Sequence, residues 1–367
     1  MFEIIRPQGI YFDNAATSLM PKEVLDVLQK YYTCKRSNIG RGMHKLGINA
    51  TFKVEEVREK LMNYFNADDF YVFFVFNSTF ASNISALSYR GKMNSIAFSV
   101  LEHNSAYLPW FRVAKQNNAN IHYLELDAHY DVIYEGYYDV AVISHASNVI
   151  GKVNHVKRIA DLMVVDGAQI VGHREINLNQ SHIDVFYFSA HKCLGPYGAG
   201  ALFIRKDKFE MFESAYLGGG SVKYVDRERF VLKQPPHSWE SGTPAIAEII
   251  AMGKALDLIN ENIDYIKTQE KQLIKRMLEV MEELGLEHYG EKDKQLPIFA
   301  FNVPGIKYLK VAELLNQHNI YVRAGHHCAH LLMDYLGIEG CVRASLHFYN
   351  TLDEINAFNE VLKKVKA

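Results

Sequence analysis

The chain has 367 residues, 49% of them hydrophobic and 12% aromatic, enough apolar mass for a large core divided into two domains, with one large domain as the alternative. Its charge is nearly balanced, 40 Lys and Arg against 42 Asp and Glu, which argues against a basic nucleic-acid stripe and against an acidic tail. Met1 to Pro7 is too short and polar for an export signal, and apolar runs such as Val140 to Ile143 stop far short of a membrane span. The expectation is a soluble, cytoplasmic protein that engages neither nucleic acid nor membrane.

Ile10 to Ser18 is a short apolar run ending in small polar residues, as expected of a strand that runs into a loop at a pocket wall. Pro21 and a helical pattern to about Tyr32 follow. Ser37 to His44 reads as a glycine loop presenting Arg41 and His44. Val54, Val57, Leu61 and Phe65 then share one helical face. From there strand, turn and helix alternate. Tyr71 to Phe76 is followed by Asn77-Ser78-Thr79, small residues suited both to capping a helix and to holding a phosphate at its N-terminus. Ser95 to Val100 runs into Glu102-His103, which puts His103 just past a strand end, where pocket residues of open α/β sheets collect.

Ile121 to Leu126 and Val140 to Ser144 read as buried strands, and the second leads into His145 to Gly151. A helix is expected from about Val156. Leu162 to Val165 then precede Asp166, a carboxylate that needs a cationic or donor partner if it is buried. Ile183 to Phe188 and Ala199 to Ile204 complete the rhythm. It predicts a mostly parallel central sheet with helices on both faces. Beyond Gly218-Gly219-Gly220 the pattern changes. A loop through Thr243-Pro244 opens a helix to about Ile259, and a charged amphipathic helix from about Asp264 to Leu284 connects to a smaller C-terminal α+β domain. That domain is expected to hold strands at Ile298 to Phe301, Tyr321-Val322 and Cys341 to Leu346, with helices from Tyr308 and from Asp353.

Between the first α/β part's last two strands lies Ser189-Ala190-His191-Lys192. A lysine held in a partly desolvated pocket loses its proton more readily and can condense with a carbonyl, as with pyridoxal phosphate (PLP); a turn lysine after a core strand is the other reading. PLP chemistry also needs a carboxylate for the pyridine nitrogen, a polar group for the ring phenol oxygen, a flat side chain over the ring and donors for the phosphate. Asp166, Gln169, His103 and the Ser78/Thr79 turn are candidates for these in turn. The four cysteines, Cys34, Cys193, Cys328 and Cys341, are widely spaced and expected as free thiols in a reducing compartment. His326, His327, Cys328 and His330 are too close together on one loop to close a tetrahedron easily, so no metal is expected. Positive charge at Arg323 and the histidines instead favours a nucleophilic Cys328 thiolate, whereas Cys341, inside an apolar strand, reads as structural.

Tyr11-Phe12-Asp13-Asn14-Ala15-Ala16, Glu102-His103, Ser147-Asn148, Val165-Asp166-Gly167-Ala168-Gln169, Ser189-Ala190-His191-Lys192, Arg323-Ala324-Gly325-His326-His327-Cys328-Ala329 and Arg343-Ala344-Ser345 occur in this order. Over nearly the whole chain they resemble the motifs of class V, fold-type I PLP-dependent enzymes, and within them the group II cysteine desulfurases of the NifS/Suf-like, selenocysteine lyase-like branch. The resemblance implies an N-terminal segment, 1–20, associated with the small domain and the active site, a large PLP-binding domain, 21–260, and a small domain, 261–367, carrying the Cys328 loop. It implies catalytic roles for Lys192, Cys328 and His103, with Lys192 forming the Schiff base and His103 stacking on the ring. Asp166 would pair with the pyridine nitrogen, and Gln169 and Asn148 would reach the phenol oxygen. Ser78, Thr79, Ser189 and His191 would hold the phosphate, and Thr243 that of the partner subunit in a homodimer. Ala15, Asn148, Arg323 and Arg343 would line the substrate site.

The implied reaction is removal of sulfur from L-cysteine to give L-alanine and a persulfide on Cys328, for transfer to an acceptor protein, as in iron–sulfur cluster assembly. Selenocysteine lyase, cysteine sulfinate desulfinase, transaminase or epimerase activity, and a sulfur carrier or scaffold without turnover, stay open as alternatives. Asn77, Phe80 and Asn104 depart from the family's usual residues. The segments 88–95 and 222–231 are terse, so the loops that shape an acceptor's docking surface are expected to be trimmed.

Overall fold

Apolar runs bounded by turn residues become strands wherever both faces can be covered, and this principle builds most of the molecule. The computed structural model of the chain describes residues 2–291, 293 and 296–366. The first part of the chain forms β1 (Ile10–Tyr11), α1 (Lys22–Lys30), α2 (Lys45–Tyr64), β2 (Phe70–Val75), α3 (Ser78–Ser88), β3 (Ser95–Ser99), α4 (Asn104–Gln116) and β4 (Asn120–Leu124). Next come β5 (Tyr138–Ser144), β6 (Ala160–Asp166), β7 (Val185–Ser189), β8 (Gly200–Arg205), β9 (Val222–Val225) and β10 (Phe230–Leu232). The last part holds α5 (Ile246–Glu283), β11 (Glu287–Tyr289), β12 (Ile298–Asn302), α6 (Tyr308–Gln317), β13 (Ile320–Tyr321), β14 (Arg323–Gly325), α7 (His330–Leu336), β15 (Cys341–Ser345) and α8 (Leu352–Lys366).

Seven strands pair in the order β2-β8-β7-β6-β5-β3-β4. The pairs from β7 through β4 are parallel, and β8 runs antiparallel to both of its neighbours. Because side chains alternate along a strand, Phe186 and Phe188 of β7 enter one core while Val185 and Tyr187 enter the other. α2 and α5 cover the first face, through Val54, Leu61, Ile249 and Met252, and α3 and α4 the second, through Ala81, Ile84, Ala106 and Trp110. Phe65 is fully buried, its ring 5.0–5.5 Å from those of Phe186, Phe188 and Phe203. Phe65→Ala is expected to cost about 3–5 kcal/mol, read as a lowered denaturant midpoint; a loss under about 1 kcal/mol would mean that this ring cluster is not a keystone of the core.

A four-stranded antiparallel sheet, β11-β12-β15-β14, packs with α6, α8 and the end of α5 around Phe299, Phe301, Val342, Leu315 and Phe358. Phe12 belongs to this cluster, and β1 pairs in parallel with β13, so the N-terminal segment is stitched to the C-terminal part.

The structure departs from the sequence expectation at several elements. No helix starts near Val156. Residues 145–159 fold back through an Ala146↔Val153 bridge, with Asn154 donating from its backbone to His145 O and from Nδ2 to Ser144 O. The four residues left before β6 are too few to repay helix nucleation. The two helices expected on either side of residue 260 are one, α5, of 38 residues. The stretch between the two expected helices, residues 260–263, contains neither glycine nor proline. Leu256, Ile259, Ile263, Ile266, Glu270, Leu273 and Ile274 keep one buried face across it. The 260/261 division therefore falls inside a helix that begins against the large sheet and ends against the small one. α7, β11 and the β9–β10 hairpin have too few residues to show a period. Among the described residues, no helix is long and apolar enough to cross a membrane.

Candidate active site

The parallel strands deliver polar residues to one edge of the sheet, as open α/β sheets do at their carboxyl ends. Asp166 is the last residue of β6, Ser144 the last of β5, His103 lies just past β3, and Lys192 ends a short 3-10 turn that follows β7. Gly167 is required here: a Cβ on it would lie 2.1 Å from the Phe186 ring, so only glycine lets the chain turn over that ring directly after Asp166. The N-terminus of α3 comes up beside them, capped by the Asn77 side chain accepting from Phe80 N. The Ser78 backbone N–H donates to Ser189 Oγ at 2.8 Å, and the two hydroxyls meet at the same distance.

Across from this edge stand Arg323 on β14, Arg343 on β15 and the loop between β14 and α7. Together they enclose a cavity of about 790 Å³. From the large sheet it takes Ser78, Thr79, His103, Asn148, Asp166 and Gln169, with Ser189, His191 and Lys192 beside them. Ala15, Arg323, Cys328 and Arg343 close it. Thr243 is the one site residue expected from the sequence that does not line it. It is exposed, and its hydroxyl accepts from Asn38 Nδ2 at 3.4 Å.

Burial sets the charge states. The Lys192 ammonium is pushed down to about 8, chiefly by desolvation, with the Asp166 carboxylate opposing and the Arg343 charge adding to the shift. Asp166 is buried and its acid is raised by desolvation, against one N–H donated by Ala168 at 2.9 Å and the field of Lys192. Its donor partner is thus a backbone amide, while the cationic one acts through space. His103 is held down to about 3 by burial, then by the Lys192 and Arg343 charges. Its Nδ1 accepts from Ser105 N at 3.1 Å, which leaves a neutral ring with the proton on Nε2. His191 is lowered to about 4, stacks on Tyr197 with ring centroids 5.2 Å apart, and has a buried Nδ1 without a partner.

Cys328 is exposed to the cavity, and both it and His327 have left-handed backbone, φ 54° and 53°. Such a conformation costs an L residue about 1–2 kcal/mol and persists only when its surroundings hold it. Here Asn104 N donates to Cys328 O at 2.7 Å, Asn148 Nδ2 donates to His327 O at 2.8 Å, and His327 Nε2 meets Cys341 O at 3.0 Å. Asn148 therefore spends its amide on the thiol loop, and its Oδ1 is left unpaired. Gln169 Nε2 likewise donates to Ala15 O at 2.8 Å. Cys341 is buried in β15, its thiol pushed up to about 12, in keeping with a structural residue.

Asp13 was not singled out by the sequence. Its carboxylate bridges both arginines, 3.1 Å from Arg343 Nη2 and 2.9 Å from Arg323 Nη2. The available signal was a carboxylate directly after the apolar run Ile10 to Phe12, the same pattern that marked Asp166. Arg343, 2% exposed, also donates to Asn148 O.

An amine, a buried carboxylate, two arginines and a thiol thus face one space, a set suited to holding an amino acid and acting at its α-carbon and sulfur. The aminotransferase class-V family matches residues 10–358. A probable cysteine desulfurase of Pyrococcus abyssi is 37% identical, covering 97% of this chain and 94% of that protein. One of Staphylococcus aureus (strain N315) is 33% identical, covering 97% and 92%. The apo structure of a cysteine desulfurase from Thermococcus onnurineus NA1 superposes with a TM-score of 0.93 at 34% identity, covering 98% of this chain and 94% of that one. Escherichia coli cysteine desulfurase CsdA, as the S-sulfonic acid, gives 0.86 at 27%, covering 99% and 96%. With its motifs in order, its fold matched end to end and its polar residues gathered at one cavity, this chain belongs to the class-V aminotransferase family.

Proposed function

We propose that the chain is a PLP-dependent cysteine desulfurase that releases L-alanine from L-cysteine and keeps the sulfur as a persulfide on Cys328 for an acceptor. The observation that carries this reading is the presence of Lys192 and Cys328 on the walls of one cavity. The relatives named as cysteine desulfurases support it.

The residues present fit the cofactor. Asp166 is a buried carboxylate without a cation in direct contact, suited to a protonated ring nitrogen, and the unpartnered His191 Nδ1 lies among phosphate donors. Lys192 would hold the cofactor covalently, with Ser78, Thr79, Ser189 and His191 on its phosphate, and the second N–H of the Gln169 and Asn148 amides, beyond those given to Ala15 O and His327 O, would serve its phenol oxygen. When bound, the ring supplies an electron sink for charge developing at the substrate's α-carbon.

The chain's own groups do the rest. Arg343, braced by Asp13, binds the substrate carboxylate, with Arg323 beside it. Lys192 Nζ, made less basic by burial, takes the α-proton and returns one to the product. His103 stays neutral across the working pH range and is available to carry a proton at Nε2. Cys328 Sγ takes the sulfur: the substrate's C–S bond breaks, an S–S bond forms, and L-cysteine plus the thiol become L-alanine plus the persulfide.

The division into residues 1–20, 21–260 and 261–367 is part of this reading, as is work in the cytoplasm, where the four free cysteines stay reduced. So is a homodimer in which Thr243 serves the partner's phosphate site. Thr243 stands clear of its own cavity, and Met43 and Phe52 are 90% and 66% exposed.

The test is alanine release from L-cysteine, with and without a thiol reductant, beside L-selenocysteine and cysteine sulfinate. Absence of alanine from L-cysteine in PLP-loaded protein would overturn the proposal. Arg343→Lys, which loses the planar fork, is expected to raise KM for L-cysteine about tenfold, with the cofactor absorbance retained. An unchanged KM would remove Arg343 from the carboxylate site.

A further inference from the structure

Glu102 lies directly before His103 and has no part in the chemistry above, although it has no exposed surface at all. Its Oε1 accepts from Ser99 Oγ and from Ser144 N, each at 2.6 Å, and its Oε2 lies 2.9 Å from Ser144 Oγ. Other buried carboxylates have a cation in contact: Asp139 has Lys92, Asp184 has Arg158 and Glu270 has Arg174. Asp166 faces the cavity, where the cofactor's ring nitrogen is placed in the reading above. Glu102 has no ion pair among the described residues. An ionised carboxylate in such a place carries a desolvation cost of several kcal/mol that no partner offsets.

The same contacts suit a carboxylic acid. Two donors converge on Oε1, as on a carbonyl oxygen. Oε2 faces only the Ser144 hydroxyl, a group that accepts as well as donates, so a proton on Oε2 has a partner. We propose that Glu102 is a positioning residue that stands as a neutral acid and ties the end of β3 to the end of β5. This tie sets His103, its neighbour in the chain. Through Ser144, which pairs in register with Asp166, it also sets the carboxylate at the cavity floor. A neutral Glu102 adds no second carboxylate charge beside Asp166, whereas two neighbouring carboxylates push one another toward protonation. Burial raises the Glu102 acid to about 8; the hydrogen bonds from Ser99 and Ser144 oppose that rise without cancelling it, and the Asp166 charge adds a smaller push upward. Its other titratable neighbours, Tyr134 and Tyr187, are themselves raised by burial and stay neutral.

The inference deepens the proposed desulfurase reading, and its test keeps the two apart. PLP-loaded wild type, Glu102→Gln and Glu102→Ala are compared by thermal midpoint, by infrared difference spectra at pH 7, and by kcat and KM for alanine release. The glutamine amide reproduces all three contacts of a neutral acid: its oxygen accepts from Ser99 and Ser144 N, and its NH2 donates to Ser144 Oγ. Glu102→Gln is therefore expected within about 2 °C of wild type and within about threefold in kcat. Wild type minus Glu102→Gln should show the carbonyl stretch of a protonated carboxyl group. Glu102→Ala is expected to lose about 10²-fold in kcat, with KM changed far less, because His103 and Asp166 shift. Only ionised-carboxylate bands at pH 7, or Glu102→Gln failing as badly as Glu102→Ala, would overturn the proposal. So would an alanine variant as active as wild type. If Glu102→Ala does not fold, the glutamine variant and the infrared bands decide. If the wild type releases no alanine, the desulfurase reading falls, while midpoint and infrared still decide Glu102.

Discussion

Lys192→Ala is expected to abolish covalent capture of PLP and to lower alanine release from L-cysteine by about 10⁴-fold or more. The reason is the state of the amine. Desolvation in the cavity brings the ammonium down to about 8, the neighbouring Asp166 pulling it back and Arg343 pushing it further. At pH 7 roughly a tenth of the side chain is then the neutral, reactive amine, against less than about one in a thousand for an unperturbed lysine. Deprotonation increases with pH. Cofactor capture by the cofactor-free wild type should therefore speed up as pH rises through about 8 and level off above it. The alanine variant should capture nothing covalently at any pH. Absorbance of the bound cofactor, followed over pH in a stopped-flow instrument, checks both. A variant that kept the covalent chromophore and full turnover would show that another amine does this work.

Cys328→Ala should leave the cofactor absorbance intact while persulfide formation disappears and alanine release falls on the order of 10²-fold or more. No other thiol stands ready to replace it. Cys193 and Cys341 are buried, with thiols pushed up to about 12, and Cys34 is exposed outside the cavity. The loop itself is tied down: backbone from α4 and the Asn148 amide hold its left-handed residues, so the thiol is kept at the cavity wall. Mass analysis of the Cys328 peptide after L-cysteine, beside the alanine assay, reads both effects. Undiminished sulfur release by this variant would point to a lyase that does not use the thiol, such as one acting on selenocysteine.

The central strands of the large sheet, β5 to β8, were legible because they are buried on both faces and so read as nearly unbroken apolar runs between turn residues, whereas β4, at the edge, is mostly exposed and not the buried strand expected. Asp166, the last residue of β6, was legible for the same reason, since a polar group at the end of such a run is at a sheet edge, and His103 and Lys192 follow β3 and β7 within a few residues. The Cys328 loop stood out through its own composition. α5 was read as two helices, one to about Ile259 and one from about Asp264, whereas its continuity rests on a buried face that only both sheets together create. The helix expected at Val156 failed, as Asn154 found its partners across the loop at Ser144 and His145.

Chain order alone thus pointed to the layered α/β architecture and marked Lys192, Asp166 and Cys328 as candidates, because each depends on residue type and near neighbours. Tertiary structure decided which charges meet. The Asp13 bridge between Arg323 and Arg343, the hold of Asn148 on the thiol loop and the placing of Glu102 against Ser99 and Ser144 all join segments at strand ends. Desolvation, which turns Lys192 from an ordinary lysine into a reactive one, exists only once those segments close around it.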